Sequence, residues 1–164
     1  MTDFDSVYFD EDLAHKDVEE INPADVRLAA MNLLARREHT IRELRQKLKR
    51  RFSDVELIDN ELIRLTDENL QSDARFAESF VFERSNRGYG LMRVQQEMRE
   101  KGLSESEISL AVKNAEIDWP AIAQDVYKKK YGDSPASDLN DKAKRVRFMQ
   151  YRGFDREDYQ RFLT

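Results

Sequence analysis

Apolar residues recur every three or four positions along most of the chain, which is the spacing of one face of an α-helix. The clearest run places Ile41, Leu44 and Leu48 on one side of a segment whose other side is basic. The same spacing returns fifty residues later, within residues 91–98. Because the chain also contains only 5 glycines and 3 prolines, the pattern predicts helices throughout.

Helix start signals divide this pattern into short helices. A capping residue followed three positions later by an acidic residue is typical of a helix N-terminus. Such pairs begin at Thr40, Ser53, Ser104 and Asp155. The last three begin 51 residues apart and each follows a basic segment, which indicates an internal repeat. Further start signals, at Asn22, at Ser72 or Asp73, and at Asp118, open the three units.

We therefore predict an all-α protein, built as an elongated and curved tandem array of three three-helix repeats behind an acidic leader. The predicted limits are 1–21 for the leader and 22–71, 72–117 and 118–164 for the repeats. A unit of this size has little core of its own, so neighbouring repeats must share buried surface. The second helix of the last repeat, at about 139–152, keeps the poorest pattern, and we place Val146 and Met149 inward.

Composition excludes several kinds of chemistry. The chain has no cysteine and only two histidines, His15 and His39, so we expect no disulfide, no zinc site and no thiol nucleophile. It has neither a phosphate-binding glycine loop nor a nucleophile elbow, and neighbouring carboxylates such as Asp67 and Glu68 are ordinary in so charged a sequence. We expect a non-enzymatic protein without a cofactor or metal. No apolar run is long enough to span a bilayer, which favours a cytoplasmic location.

Charge is distributed unevenly along the chain. Residues 1–25 contain nine acidic side chains against Lys16 alone, so the net charge of −5 leaves residues 26–164 at +3. Residues 36–51 hold eight basic and two acidic side chains. Such a block is either a solvated helix face or a surface that attracts a polyanionic partner.

Three basic regions are candidates for contact with a partner protein or with nucleic acid. One is the second predicted helix, the next surrounds the loop that contains Gly88 and Gly90, and the third lies in the last repeat. Their members are Arg42, Arg45, Lys49, Arg50 and Arg51; Arg84, Arg87, Tyr89 and Arg93; and Lys128, Lys129, Lys144, Arg145 and Arg147. Tyr89 either plugs the core of its repeat or is an exposed contact. We expect Phe82 and Trp119 to pack against neighbouring repeats.

The central stretch carries a more specific motif. It reads Leu70, Ser72, Asp73, Arg75, Phe76, Ala77, Phe80 and Arg84, then Arg87-Gly88-Tyr89-Gly90, Arg93, Val94, Glu97 and Met98, and ends in Lys101-Gly102-Leu103. This motif resembles that of the RecX family, which regulates the bacterial recombinase RecA. The likeness extends over about residues 22–164 and includes Tyr151-Arg152-Gly153-Phe154 near the end. Val94 and Met98 stand where the family more often has Ile or Leu.

The resemblance implies a partner as well as a fold. It implies that the chain docks in the groove of the RecA nucleoprotein filament and lowers ATP hydrolysis, strand exchange and co-protease activity. We accordingly expect a monomer that acts in DNA repair, recombination and the SOS response. The resemblance leaves direct contact with single- or double-stranded DNA open.

Two other functions fit the residues alone. One is a stand-alone DNA-binding protein whose first repeat places Arg42, Arg45 and Lys49 in the groove of the duplex. A charge of +3 on residues 26–164 is low for a protein whose affinity would come mainly from phosphates. The other is a general helical adaptor for a different protein.

Overall fold

The computed structural model describes residues 20–163, which form helices and no strands. The first repeat contains α1 (Pro23–Leu34), α2 (Ile41–Lys49) and α3 (Val55–Asp67). The second contains α4 (Asp73–Asn86), α5 (Leu91–Glu100) and α6 (Glu105–Ala115). The third contains α7 (Trp119–Tyr131), α8 (Leu139–Arg152) and α9 (Arg156–Tyr159), followed by a 3-10 turn at Gln160–Phe162. The predicted leader lies outside the described residues except for residues 20 and 21.

Side chains cap most helices where the sequence predicted a start. The capping boxes at Thr40, Ser104 and Asp155 all form. The box predicted at Ser53 is wrong, because α3 begins one residue later and is capped by Asp54, whose carboxylate accepts a hydrogen bond from the Leu57 N–H at 3.0 Å. The caps of the three third helices therefore lie at 54, 104 and 155, and the spacing of 51 residues holds only for the second interval.

Each repeat has a hydrophobic core of its own. The cores are centred on residues such as Leu44 and Ile58 in the first repeat, Val94 and Ile108 in the second, and Met149 in the third. Residues 41–50 and 91–100 have the same sequence of buried, half-buried and exposed positions, one for one. This match confirms that α2 and α5 are equivalent helices of a repeated unit.

The third repeat departs from this pattern within α8. Met149 is fully buried and Val146 is half-buried, which confirms the inward placement of both. At the position that corresponds to Leu44 and Val94, however, α8 has Arg145, which is only 6 % exposed. A buried cation in place of an apolar residue explains why the hydrophobic stripe of this helix is hard to recognise in the sequence.

Repeats 1 and 2 are joined by polar contacts between helix ends. The Thr40 hydroxyl, at the start of α2, donates to the Lys101 carbonyl at the end of α5 over 2.8 Å. The Ile41 N–H donates to Asp73 Oδ1 at 3.0 Å. The ammonium group of Lys101 returns to α2 and lies 2.7 Å from the Glu43 carboxylate. Two of these contacts use backbone groups that the helix ends leave unpaired, the Lys101 carbonyl and the Ile41 N–H.

Repeats 2 and 3 are joined in the same way, with α5 and α8 in place of α2 and α5. The Gly90 N–H donates to the Arg152 carbonyl at 2.8 Å, and the Met92 N–H donates to the Gly153 carbonyl at 3.0 Å. A Cβ on Gly90 would lie 2.4 Å from the carbonyl carbon and oxygen of Gly153. This close approach of two backbones requires glycine at position 90.

The two aromatic residues expected between repeats behave differently. Trp119, at the start of α7, packs against the core of the second repeat, which confirms the prediction. Phe82 is 62 % exposed, so the prediction for it is wrong. It lies on the face of α4 opposite Phe76 and Phe80, both of which are buried.

None of the described helices has the length and apolar character needed to cross a lipid bilayer.

Candidate partner-binding surface

Helix α2 presents a row of cations to solvent. Arg42, Arg45 and Lys49 are spaced at i, i+3 and i+7, which places them on one face, and Arg50 and Arg51 follow at its C-terminal end. Of these five, Arg45 is half-buried and the other four are exposed. The opposite face is fixed by Leu44 and Leu48 in the core.

Most of this charge is not neutralised within the described chain. Arg45 donates through Nε to Asp59 Oδ1 at 2.7 Å, and this hydrogen bond lowers the pKa of the Asp59 carboxyl. Among residues 20–163, no carboxylate forms an ion pair with Arg42, Lys49, Arg50 or Arg51. The α2 cations, as we call these four residues, are therefore available to an external anion.

The same face of α5 has a different character. The positions of α5 that correspond to Arg42, Lys49 and Arg50 hold Met92, Arg99 and Glu100. The two helices have the same burial pattern, so the repeat architecture does not require a basic face. Of the two helices, only α2 has a face on which cations predominate, since Arg99 of α5 pairs with Glu105. This difference points to a role of the α2 cations beyond folding.

A groove separates α2 from the second repeat. The helices α2, α4 and α5 line it with Arg42, Glu43, Gln46, Lys47, Arg50, Arg84, Glu97, Glu100 and Lys101. Its α2 wall includes two of the α2 cations, Arg42 and Arg50, whereas Glu97 and Glu100 lie on the α5 side. Lys101 and Gln46 were not predicted from the sequence, because Gln46 is uncharged and Lys101 lies outside the dense basic runs.

Ion pairs hold the groove at the junction of repeats 1 and 2. Burial opposes ionisation of Glu43, but hydrogen bonds from Arg37, Lys101 and the Thr40 N–H outweigh it and lower the pKa of this carboxyl from 4.5 to about 2. His39 lies beside this junction. Burial lowers the pKa of its imidazole, which contacts the Arg37 carbonyl and the Lys47 ammonium.

The second candidate region is the junction of repeats 2 and 3. Tyr89 is half-buried against the core of the second repeat. The guanidinium carbons of Arg93, Arg152 and Arg84 lie 4.3, 5.2 and 5.5 Å from the centre of its ring. Contacts of this kind are cation–π interactions. These contacts favour a structural role for Tyr89, as a plug over the core of its repeat, over the alternative of an exposed contact.

The three arginines predicted in this region, Arg84, Arg87 and Arg93, also form ion pairs with carboxylates. Arg84 and Arg93 each place Nε within about 3 Å of Glu97, at 2.9 and 3.0 Å. Arg87 pairs with Glu83, one turn earlier in α4, at 2.9 Å. Glu97 and Glu83 supply two negative charges against the three positive charges of Arg84, Arg87 and Arg93. These arginines therefore attract an external anion less than the α2 cations do.

The third region divides into a buried residue and an exposed group. Arg145 donates to the Tyr127 hydroxyl at 2.7 Å, to the Ser134 carbonyl at 2.8 Å and to Asp141 at 2.9 Å. These contacts keep it inside the third repeat, so we remove it from the candidate surface. The exposed members of the region are Lys128, Lys129, Lys144 and Arg147.

Tyr151 belongs to the family motif but was not predicted to contact a partner, and its side chain is exposed. Its ring is 76 % exposed beside the junction of repeats 2 and 3, and the Arg93 guanidinium lies 5.4 Å from its centre. No signal in the sequence separates it from a buried aromatic residue such as Tyr159. The described residues contain no cluster of three or more His, Asp or Glu side chains suited to a metal ion.

Comparison with known proteins identifies the family. Models of the first, second and third three-helix domains of RecX match residues 27–65, 72–112 and 116–163, in that order. The chain belongs to the RecX family of regulatory proteins. The regulatory protein RecX of Pseudomonas entomophila (strain L48) is 42 % identical over 142 residues, which cover 87 % of this chain and 92 % of the relative. RecX of Pseudomonas putida (strain KT2440) is 40 % identical over 142 residues, with 87 % and 91 % covered.

Solved RecX structures share the fold at lower identity. The crystal structure of RecX from Lactobacillus salivarius is similar with a TM-score of 0.68 and 19 % identity, over 86 % of this chain and 94 % of that one. Another crystal structure of a regulatory protein RecX gives a TM-score of 0.74 and 22 % identity, over 85 % and 72 %. The resemblance and the tandem three-helix fold inferred from the sequence are confirmed.

Proposed function

We propose that the chain is a non-enzymatic regulator of RecA, which lies as a monomer along the RecA nucleoprotein filament and inhibits it. The match of all three RecX domains in order, over most of the chain, is the observation that carries this proposal. Recombination, ATP hydrolysis and co-protease activity would all fall, because each depends on an assembled filament. Such a partner places the chain in the cytoplasm, in DNA repair and the SOS response.

The α2 cations are the proposed first point of contact with the filament. Four positive charges on one short stretch, none of them in an ion pair within residues 20–163, attract acidic groups and raise the rate of encounter. The exposed group of the third repeat, Lys128, Lys129, Lys144 and Arg147, supplies a second, separate contact. Two contacts on one chain bind more tightly than either alone when the partner is a long polymer.

Arg84, Arg87, Tyr89 and Arg93 have an indirect part in this mechanism. They pack within the second repeat or at its junction with the third, so they set how repeat 3 is placed relative to repeat 2. Inhibition then results from occupancy of the filament surface and complementary charge, with no bond made or broken.

Charge reversal tests the contact. We expect Arg42→Glu, Lys49→Glu and Arg50→Glu together to weaken inhibition of RecA ATP hydrolysis at least tenfold, since every 1.4 kcal/mol lost is a factor of ten. Arg45 is left intact because it pairs with Asp59. The matched control reverses three exposed cations elsewhere, Arg36, Lys113 and Arg156, with the same change in net charge. Equal inhibition by the two folded triple variants would remove α2 from the contact.

A stand-alone DNA-binding function is the second candidate. The uncompensated α2 cations favour it, since they suit phosphates as well as carboxylates. Binding to bare DNA would then match binding to RecA filaments and would weaken steeply with salt. We expect clearly tighter binding to filaments at physiological ionic strength, measured by fluorescence anisotropy with the two targets side by side.

A further inference from the structure

The residues that precede the described structure are strongly acidic. Residues 1–19 contain seven Asp or Glu side chains and Lys16, which amounts to a formal charge of −6 with His15 neutral. They also include the aromatic residues Phe4, Tyr8 and Phe9. A segment of this composition is complementary to a basic surface and resembles, in charge, the polyanions that such a surface attracts.

The leader joins the folded chain beside the end of α2. Glu20 and Ile21 line a pocket together with Ser53 and Leu57, and Ile21 packs against the core of the first repeat. Ser53 follows Arg51 by only two positions. The acidic segment therefore starts next to the C-terminal end of the α2 cations.

The leader is long enough to cover the whole basic face. A chain of 19 residues reaches at most about 60 Å when extended. Helix α2, with nine residues, is only about 14 Å long at 1.5 Å per residue. A fraction of the leader is sufficient to run from Arg51 back to Arg42.

The distribution of charge around the groove favours binding of an acidic segment to the α2 wall. Arg42 and Arg50, on the α2 wall, have no carboxylate partner within the described residues, whereas Glu97 and Glu100 occupy the α5 side. The carboxylate of Glu97 already receives two arginines, and Glu100 accepts a hydrogen bond from Gln96. An acidic peptide is attracted to α2 and repelled from the surface around Glu100.

We propose that residues 1–19 dock along the α2 cations and occupy them until an external partner displaces them. Docking of residues 1–19 on α2 is an intramolecular event and does not depend on RecA. Only the predicted competition between these residues and the filament rests on the proposed function. A tether this short gives an effective concentration in the millimolar range. An intrinsic dissociation constant of about 100 μM would then reduce the apparent affinity of a competitor about tenfold.

Paramagnetic NMR on the full chain tests the docking directly. The chain has no cysteine, so Ser6→Cys accepts a single nitroxide label. At low salt we expect the backbone amides of residues 41–50 to lose most of their signal, and to recover it near 1 M salt, where charges are screened beyond about 3 Å. The comparison is made in three backgrounds: the native sequence, the α2 reversal (Arg42→Glu, Lys49→Glu, Arg50→Glu), and the control reversal (Arg36→Glu, Lys113→Glu, Arg156→Glu).

Signal loss that disappears in the α2 reversal but persists in the control reversal supports docking. The same loss in both variants would mean that the label is near α2 only because the chain enters there, and that result overturns the proposal, as does no loss in the native background. Dispersed amide spectra establish that each variant is folded. The measurement contains no RecA, so its failure would leave the proposed function standing.

A second experiment separates docking from competition. Replacement of Asp10, Asp12 and Asp17 by Asn removes half of the formal charge of residues 1–19 without touching a described residue. We expect filament binding by this variant to be several-fold tighter than that of the native chain at low salt and equal to it at high salt. Unchanged affinity at low salt would contradict the competition.

Discussion

Glu43 connects the first two repeats at the scale of a single residue. Its carboxylate accepts hydrogen bonds from Arg37, Thr40 and Lys101, so one side chain closes the cap of α2 and binds the end of α5. Only its ionised form accepts all of these bonds. The junction therefore depends on pH.

We predict that stability falls as the pH drops from about 4.5 to about 2, and that Glu43→Gln removes much of this fall. The pKa of Glu43 is lowered in the folded chain to about 2, so its contribution is present above the unfolded value of 4.5 and is lost below it. At about 1.4 kcal/mol per pKa unit, the contribution is on the order of 3 kcal/mol. Urea denaturation of both proteins across this range measures it. Parallel curves would contradict the assignment.

The burial of Arg145 could not be predicted from its residue type. In the sequence it stands in a basic segment beside Lys144 and Arg147, and nothing local separates the three. Its burial depends on Tyr127 and on the carbonyl of Ser134, both of which come from other parts of the fold.

We predict that Arg145→Ala destabilises the third repeat by about 3 kcal/mol, because it leaves Asp141 and buried polar atoms without their partner. Lys144→Ala, at the exposed neighbouring position, is expected to change stability by less than about 0.5 kcal/mol. Thermal denaturation followed by circular dichroism compares the two. Similar midpoints would mean that Arg145 is not a structural residue.

At the scale of elements, local signals determined most of the fold. The three- and four-residue spacing located α2 and α5, and capping boxes located the starts of α6 and α9. The signals were insufficient where two candidate caps are adjacent, as at Ser53 and Asp54. They also failed for Phe82, since its contacts depend on how repeats are packed and not on the helix that contains it.

The cap of α3 provides a test at this scale. We expect Asp54→Ala to cost about 1 kcal/mol, the usual effect of losing an N-cap, and Ser53→Ala to cost almost nothing. Chemical denaturation of the two variants is sufficient, since they differ by one position in the same turn. A larger loss of stability for Ser53→Ala than for Asp54→Ala would mean that Ser53 caps α3, as the sequence predicted.

The candidate surface was predictable only in part. Charge density pointed to α2, and most of its cations form no ion pair with a carboxylate in the part of the chain that the structure describes. The same criterion selected Arg84, Arg87 and Arg93, which the fold engages in ion pairs. Two of these pairs, Glu83–Arg87 and Arg93–Glu97, have an i,i+4 spacing that the sequence shows, whereas the Arg84–Glu97 pair joins two helices and depends on their packing.

At the scale of the whole molecule, the two junctions couple the repeats. In the first junction the start of α2 bonds to the end of α5, and in the second the start of α5 bonds to the end of α8. The repeats are therefore not structurally independent. The predicted domain limits, at 71/72 and 117/118, and the predicted curvature of the array stay predictions.

We predict that Gly90→Ala weakens the junction of repeats 2 and 3 by about 1–3 kcal/mol, since the new Cβ would collide with the Gly153 backbone. Asn86→Ala is the control, because Asn86 is exposed near the same junction and its replacement is expected to change stability by less than about 0.5 kcal/mol. Calorimetry should give the lower melting temperature for Gly90→Ala. The reverse order would contradict the close backbone contact.

Strand exchange by RecA in the presence of the purified chain shows whether the chain inhibits the filament. We predict that the native chain and the control reversal variant slow the reaction at concentrations below that of RecA, because each bound molecule obstructs a polymer of many subunits. The α2 reversal variant should need at least tenfold more protein for the same effect. Strand exchange that proceeds at its full rate with equimolar, folded native chain would rule out inhibition of RecA by this protein.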